Sequence, residues 1–263
     1  VLGFMTNFYE MLTGGSYESQ FIPHLFVHNW SLAVEVHYYV LWGLAVWFLA
    51  KRAKTSGQLR GMIFLLSSAA FMISFLSMFI GSFIVSYHST LYFSSLTHVY
   101  PFFLGSVFAT VIGVRHRTPY LEYLNQILDL RQTLLVFGGG LGVLLLLTFF
   151  VKFNYFFTYL LGFLLASLAT LLMIAAARIL HEKTPTIEEP KVVSFLADTS
   201  YAVYLFHWPF YIIFSQLMGN IPAVILTTIF SYIFATLSFY LIEPFVAGKS
   251  SKLLRMTEEI PHI

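Results

Sequence analysis

Long apolar segments are the feature that most limits what this chain can fold into. Seven of them are long enough to cross a bilayer core as a helix, which takes roughly 20 residues. They cover about residues 30–50, 61–86, 97–114, 133–151, 155–177, 200–218 and 222–242. Only 10% of the residues are charged, whereas about a quarter of a typical soluble domain is charged. The sequence therefore predicts an all-α, polytopic transmembrane bundle of about seven spans over residues 30–243.

The basic residues predict the direction of these spans. Of the 14 Lys and Arg residues, all but Lys152 fall in regions that follow the first, third, fifth and seventh segments. Cytoplasmic loops are enriched in Lys and Arg, so these four regions lie on the cytoplasmic side. We expect a multi-pass protein of the cell membrane with the lipid bilayer as its first partner. Residues 1–29 then form an extracytoplasmic segment, and residues 244–263 form a cytoplasmic tail.

The first span, "HNWSLAVEVHYYVLW", carries polar side chains where they are costly. An ionisable group within a span usually faces the bundle interior or a wet cavity. Helical spacing places the following side chains on one face: Ser31, Glu35, Tyr38 or Tyr39, and Trp42. Glu35 lies about 7 Å inside the outer end, at about 1.5 Å per residue. It is either a buried carboxylate that joins helices through tyrosines, or a buried general base that acts on a hydroxyl at the outer face.

The sixth span, "FLADTSYAVYLFHWPF", contains a second polar face. Asp198 or Thr199 is expected to cap the start of this helix. Pro209 lacks an amide hydrogen and frees the carbonyl of Leu205, so we expect a kink beside His207. His207 either only satisfies a carbonyl or a tyrosine hydroxyl, or belongs to a functional site. A polar stripe follows the helical period: Ser200, Tyr204, His207 and Tyr211.

Three weaker signals have simpler interpretations. The glycines of "GGGLG", residues 138–142, lie within an apolar run, so they favour close helix packing over phosphate binding. Arg115 and Arg117 either follow the cytoplasmic charge bias or hold the phosphates of a cytosolic donor. The chain has no cysteine, and no histidine spacing indicates a metal site. No basic and aromatic pattern indicates nucleic-acid binding.

Together these segments resemble the acyltransferase-3 family. "HNWSLAVEVHYYVLW" resembles its His-x-Trp-Ser-Leu-x-x-Glu signature, and "FLADTSYAVYLFHWP" resembles its Asp-x-Ser-Tyr-x-x-Tyr-Leu-x-His-x-Pro signature. "YPFFLGSVFA" and "LIEPF" lie in the expected order, so the resemblance runs from about residue 24 onward. Val36 and His37 depart from the acidic or glutamine residues that usually follow the glutamate. The motif positions in this chain are His28, Trp30, Ser31, Glu35, Asp198, Ser200, Tyr201, Tyr204 and His207.

The resemblance implies a function. Members of this family have about ten helices and acylate extracytoplasmic glycans, antibiotics or lipids. We therefore expect an integral membrane O-acyltransferase that uses acetyl-CoA or another acyl-CoA as donor substrate, without a bound cofactor. The expected acceptor is a hydroxyl of peptidoglycan or of a surface polysaccharide. The expected catalytic residues are Ser31, Glu35, Tyr204 and His207. The expected substrate-binding residues are His28, Trp30, Asp198, Ser200, Tyr201, Arg115 and Arg117.

The same resemblance implies that further segments exist. The family's key histidine belongs to its first helices, and this chain begins at Val1 after that point, so we expect an N-terminal truncation. An extracytoplasmic esterase-like domain or partner is expected in some relatives. Two alternatives stay open: a proton-coupled transporter in which Glu35 and His207 relay protons, and a non-catalytic fragment of the family. The paired signatures favour acyl transfer. In that case we expect Glu35 and His207 to line one polar passage.

Overall fold

The described part of the chain is helical and contains no strand. The computed structural model describes residues 4–13, 25–85, 88–113, 118–153, 155–185, 188, 190–242 and 244–245. The helices within those ranges are α1 (Thr6–Thr13), α2 (Trp30–Arg52), α3 (Ser56–Ile84), α4 (Ser89–Phe93), α5 (Tyr100–Ile112), α6 (Pro119–Ile127), α7 (Leu130–Phe150), α8 (Phe163–Lys183), α9 (Lys191–Leu217) and α10 (Asn220–Leu237). A 3₁₀ turn, Val27–Asn29, precedes α2, and π-helical turns flank two others: Thr158–Gly162 before α8 and Ser238–Ile242 after α10. This confirms the all-α, polytopic prediction.

Five helical segments of the described chain are long and apolar enough to cross a membrane. They are Val27–Arg52, Ser56–Ile84, Leu130–Phe150, Thr158–Lys183 and Asn220–Ile242. The expected span over 97–114 is too long, because α5 begins at Tyr100 and has 13 residues, or roughly 20 Å of a core about 30 Å thick. Helix α9 has 27 residues, so length does not exclude it. It is not among the five apolar segments, because polar side chains such as Ser200 and His207 interrupt its apolar residues.

Local capping explains where two of the long helices begin. The Asp129 carboxylate accepts a hydrogen bond from the amide of Gln132, and the Gln132 side chain accepts one from the amide of Asp129. This reciprocal pair satisfies amides that the first turn of α7 would leave without partners. Thr55 caps α3: its side-chain hydroxyl accepts a hydrogen bond of 3.1 Å from the backbone amide of Gln58.

Two units are distinguished by their internal contacts, and each is described by itself. The first comprises residues 1–16 and 29–187. Within it, α3 packs against α2, α4 and α5, and α8 packs against α5, α6 and α7. Met78, Tyr100 and Tyr159 form part of its buried core.

Helices α7 and α8 approach each other closely at one glycine. A methyl group at Gly140 would lie 2.6 Å from Cγ of Met173 and 3.0 Å from the carbonyl oxygen of Ala169. Methyl groups at Gly138, Gly139 or Gly142 would meet nothing within 4 Å. The prediction of close packing for "GGGLG" is therefore confirmed for Gly140 and wrong for the other three.

The second unit comprises residues 17–28 and 188–263, in which α9 and α10 pack along each other. Phenylalanine rings mediate much of this contact; the centroids of Phe210 and Phe234 are 5.1 Å apart, and those of Phe214 and Phe230 are 5.2 Å apart. The expectation that Asp198 or Thr199 caps the helix is wrong, because α9 already begins at Lys191. Residues 192–197, apolar except for Ser194, extend the helix upstream. The Thr199 hydroxyl donates to the carbonyl of Phe195, as helix-interior threonines do.

Candidate functional site

Helix α2 forms one wall of a mainly apolar cavity in the first unit, which also contains a few polar groups. The cavity has a volume of about 390 Å³. Its lining residues combine the face predicted from helical spacing with the turn that leads into α5. They are Trp30, Ser31, Val34, Glu35, Tyr38, Tyr39, His98, Val99, Pro101 and Phe102. The structure therefore brings Ser31, Glu35 and the two tyrosines together, as the spacing predicts.

Glu35 is the acidic residue in the lining of this cavity. The hydroxyl of Tyr39 donates a long hydrogen bond of 3.5 Å to Oε2 of Glu35, one helical turn away. The expectation that Glu35 is buried is wrong: its side chain is exposed. The reason is that Tyr39, the next position on this face, is also more than half exposed, so no described helix covers this part of α2. An exposed carboxylate beside a cavity can accept a hydrogen bond from a hydroxyl that enters.

Tyr38 and Trp42 hold α2 against the start of α5. The Tyr38 hydroxyl donates to the carbonyl of Ser95 at 2.9 Å, and its ring lies 5.5 Å from that of Phe103. The Trp42 ring also lies 5.5 Å from the Phe103 ring. Tyr38 therefore positions the cavity wall as well as lining it, whereas Trp42 is a packing residue.

His98 is a member of this cavity that the sequence analysis did not assign. Its ring centroid lies 5.0 Å from that of Trp30, 5.0 Å from that of Tyr92 and 4.7 Å from that of Phe163. Burial lowers the pKa of His98 to about 4, against a smaller opposite effect from the Tyr92 backbone. The imidazole is therefore neutral at pH 7. In the sequence, only its position just before the helix that begins "YP" distinguishes it.

His28, Tyr204 and His207 form a compact cluster in the second unit. Tyr204 donates its hydroxyl hydrogen to the backbone carbonyl of His28 at 2.5 Å. The His28 ring centroid lies 5.3 Å from that of His207 and 5.3 Å from that of Tyr204. His28 is 3% exposed. The structure thus brings together three of the residues predicted from the two signature segments.

The tautomer of His207 follows from its hydrogen bond. Its Nδ1 lies 2.6 Å from the carbonyl oxygen of Tyr204. Since a carbonyl oxygen only accepts, Nδ1 carries the hydrogen, and the neutral ring keeps a lone pair on Nε2. His207 does not take the Leu205 carbonyl that Pro209 frees.

A second cavity, of about 380 Å³, lies between α9 and α10. His207 lines it together with apolar and hydroxyl-bearing side chains of both helices. The other lining residues are Val203, Trp208, Tyr211, Val224, Thr227, Thr228, Ser231 and Tyr232. His207 therefore belongs both to the histidine and tyrosine cluster and to the wall of this cavity.

The remaining predicted residues lie apart from these groups or outside the described residues. Asp198, Ser200 and Tyr201 are exposed on α9, and the Ser200 hydroxyl donates to its own helix at the carbonyl of Ala197. No described contact joins these three to the His28 and His207 cluster. Arg115 and Arg117 lie outside the described residues. Within the described ranges, no group of three or more His, Asp or Glu side chains is placed to hold a metal ion.

Comparison with known proteins finds relatives that match most of the chain. The chain is similar to an O-acetyltransferase. It is 26% identical over 254 residues to the O-acetyltransferase OatA of Staphylococcus aureus strains NCTC 8325 / PS 47, COL and MRSA252. The match covers 95% of this chain and 40% of each relative, so the chain spans about two fifths of their length. No protein-family model and no solved structure matches the chain.

The chain is thus related in sequence to these O-acetyltransferases at modest identity. Because the similarity covers 95% of the chain, it includes both the segment around Glu35 and the segment around His207. Together with the five apolar helices, it also supports a membrane protein.

Proposed function

We propose that this protein is a membrane O-acyltransferase of the acyltransferase-3 type. It moves an acetyl or other acyl group from cytosolic acyl-CoA to a hydroxyl of an extracytoplasmic glycan, such as peptidoglycan or a surface polysaccharide. The observation that carries the proposal is the similarity to O-acetyltransferase OatA over 95% of the chain. The cavity beside Glu35 and the cluster around His207 supply the chemical groups that acyl transfer needs.

The reaction requires a base for the acceptor alcohol. The hydroxyl oxygen attacks the thioester carbonyl carbon, the new C–O bond forms, and the C–S bond breaks. The alcohol proton passes to the base and then to the leaving thiolate, so the products are an ester and free CoA thiol. Glu35 is our candidate for this base, since its exposed carboxylate borders a cavity large enough for a small polar group.

Ser31 and Tyr39 flank Glu35 and would orient the acceptor. Both line the same cavity, and the Tyr39 hydroxyl already donates to the Glu35 carboxylate. His98, neutral and also in the lining, adds an aromatic nitrogen beside the indole of Trp30. Aromatic faces with a few polar groups suit a sugar ring.

His207 is our candidate for the donor side of the reaction. Its Nδ1 hydrogen is engaged by the Tyr204 carbonyl, so Nε2 is the nitrogen that can accept a proton or a hydrogen bond. Tyr204 and His28 act as positioning residues, because Tyr204 ties the backbone of His28 to α9 through its hydroxyl. The acyl-CoA donor and the outward orientation of Glu35 are parts of this proposal.

A transfer assay with carboxylate variants tests the proposal. The complete gene product is expressed in membranes and supplied with labelled acetyl-CoA and a peptidoglycan or polysaccharide acceptor. Glu35→Gln should lower the rate about 10²- to 10⁴-fold, the range that general bases supply, at unchanged expression. Glu122→Gln is the matched control, because Glu122 is an exposed carboxylate of α6 that lines neither cavity. Full activity of Glu35→Gln refutes its role, and solute uptake without acetyl-CoA consumption indicates a transporter instead.

A further inference from the structure

Two hydroxyls of α10 stand out from the other hydroxyls of that helix. Threonine and serine side chains within helices commonly donate to the carbonyl one turn earlier. Thr228 and Thr236 do so, to the carbonyls of Val224 and Tyr232. Thr227 and Ser231 do not: their oxygens are buried and have no hydrogen-bond partner among the described residues.

Both hydroxyls belong to the cavity between α9 and α10. Thr227 is 8% exposed and Ser231 is 1% exposed, and both line the cavity that His207 borders. They are one helical turn apart, so they share a face and are separated by about 6 Å along the axis. A buried hydroxyl without a partner is costly, so two such hydroxyls in the lining of one cavity favour a ligand that supplies the missing bonds.

The rest of the lining limits the chemistry of that ligand. No charged side chain lines the cavity, so it does not suit a phosphate group. Val203 and Val224 offer aliphatic surface, and Trp208 offers an aromatic face. A few placed polar groups in an apolar cavity of roughly 300–1,000 Å³ are typical of sites for small neutral ligands.

We propose that Thr227 and Ser231 bind the neutral acyl-thioester arm of the donor in this cavity, beside His207. The inference rests on the proposed function, because the thioester is the substrate assigned there. Each hydroxyl donates to one carbonyl oxygen of the arm, the thioester carbonyl and the first amide carbonyl, which are a few bonds apart. The apolar walls cover the methylene groups between them.

A binding experiment tests this without relying on transfer. The probe is S-acetonyl-N-acetylcysteamine, an unreactive ketone analogue of the acetyl-thioester arm, titrated into the complete gene product in detergent. Binding is followed through the fluorescence of Trp208, with Trp208→Phe as the variant that removes the signal. The double variant Thr227→Val with Ser231→Ala should raise the Kd about tenfold to a hundredfold, the range for two neutral hydrogen bonds. Thr236→Val is the matched control and should leave the Kd unchanged, since Thr236 bonds to its own helix outside the cavity.

The outcomes separate this inference from the proposed function. Equal Kd values in the wild type and the double variant overturn the inference, as does a wild type that does not bind the ketone. Thr227→Ser keeps a hydroxyl and should retain most of the affinity, which distinguishes hydrogen bonding from misfolding. If only a fatty acid displaces the ketone, and does so equally in all variants, the cavity is a lipid site. That result also overturns the inference. A wild type that binds the ketone but transfers no acetyl group contradicts the proposed function and leaves the site in place.

Discussion

Replacing Gly140 by alanine tests how closely α7 and α8 approach each other. The added methyl group would lie 2.6 Å from Cγ of Met173 and 3.0 Å from the carbonyl oxygen of Ala169. The methionine side chain can rotate away, but the carbonyl oxygen moves only if the backbone of α8 moves. Overpacking of this kind typically costs about 1–3 kcal/mol.

The neighbouring Gly139 provides the matched control. A methyl group there would meet nothing within 4 Å. Both substitutions carry the same preference of a helix for alanine over glycine, about 0.5–1 kcal/mol. That contribution cancels when the two variants are compared, so the difference between them measures the overpacking alone. Gly139→Ala should be more stable than the wild type, and Gly140→Ala should be about 1–3 kcal/mol less stable than Gly139→Ala.

The measurement is the free energy of unfolding of the purified protein in detergent, from a denaturant titration followed by circular dichroism. The two variants are compared at equal protein and detergent concentrations. If Gly140→Ala is as stable as Gly139→Ala, the helices do not approach as closely as the structure places them, and the packing argument fails.

Three further predictions concern individual side chains. Tyr204→Phe should lower the unfolding free energy by about 0.5–1.5 kcal/mol and reduce acyl transfer, because the hydroxyl that donates to the His28 carbonyl is lost. Tyr123→Phe, on an exposed side chain of α6, should change neither quantity. Asp129→Ala should cost about 0.5–2 kcal/mol in the same titration, since it removes the cap of α7, and no change would contradict the capping assignment. The pKa of His98 is lowered from its ordinary 6.5 to about 4, so only the unfolded chain gains a proton between these values. Stability from this group should therefore be complete above about pH 6.5 and fall as the pH drops toward 4, by at most about 1.4 kcal/mol per pH unit, and His98→Gln should reduce this slope.

Much of the first unit's candidate site could be predicted because it follows the period of one helix. Ser31, Glu35 and Tyr38 recur along α2 with helical spacing, and all three line the same cavity. Their surroundings could not be predicted in the same way. His98 joins the cavity through packing of the turn before α5 against Trp30, and a single histidine in a short turn carries no periodic signal.

The second unit illustrates the same limit with larger sequence separations. Tyr204 and His28 are 176 positions apart in sequence, and only the resemblance of both segments to one family placed them on related motifs. Thr227 and Ser231 lie within an apolar run where hydroxyls commonly bond to their own helix, so the sequence carries no signal that they line a cavity. The start of α9 was misjudged for a local reason, because "ADTS" offers good capping residues in the middle of a helix.

The π-helical turn Thr158–Gly162 affects how chains of this kind can vary in length. A turn of this width holds one residue more than an α-turn. Deleting a residue elsewhere in α8, upstream of the contact, would rotate every later side chain by about 100° around the axis, which would move Ala169 and Met173 off Gly140. Deleting one residue within the wide turn would convert it to an ordinary α-turn and keep the face of α8 that packs on α7. The turn before α8 is therefore the place where a related chain can lose a single residue without repacking this pair of helices.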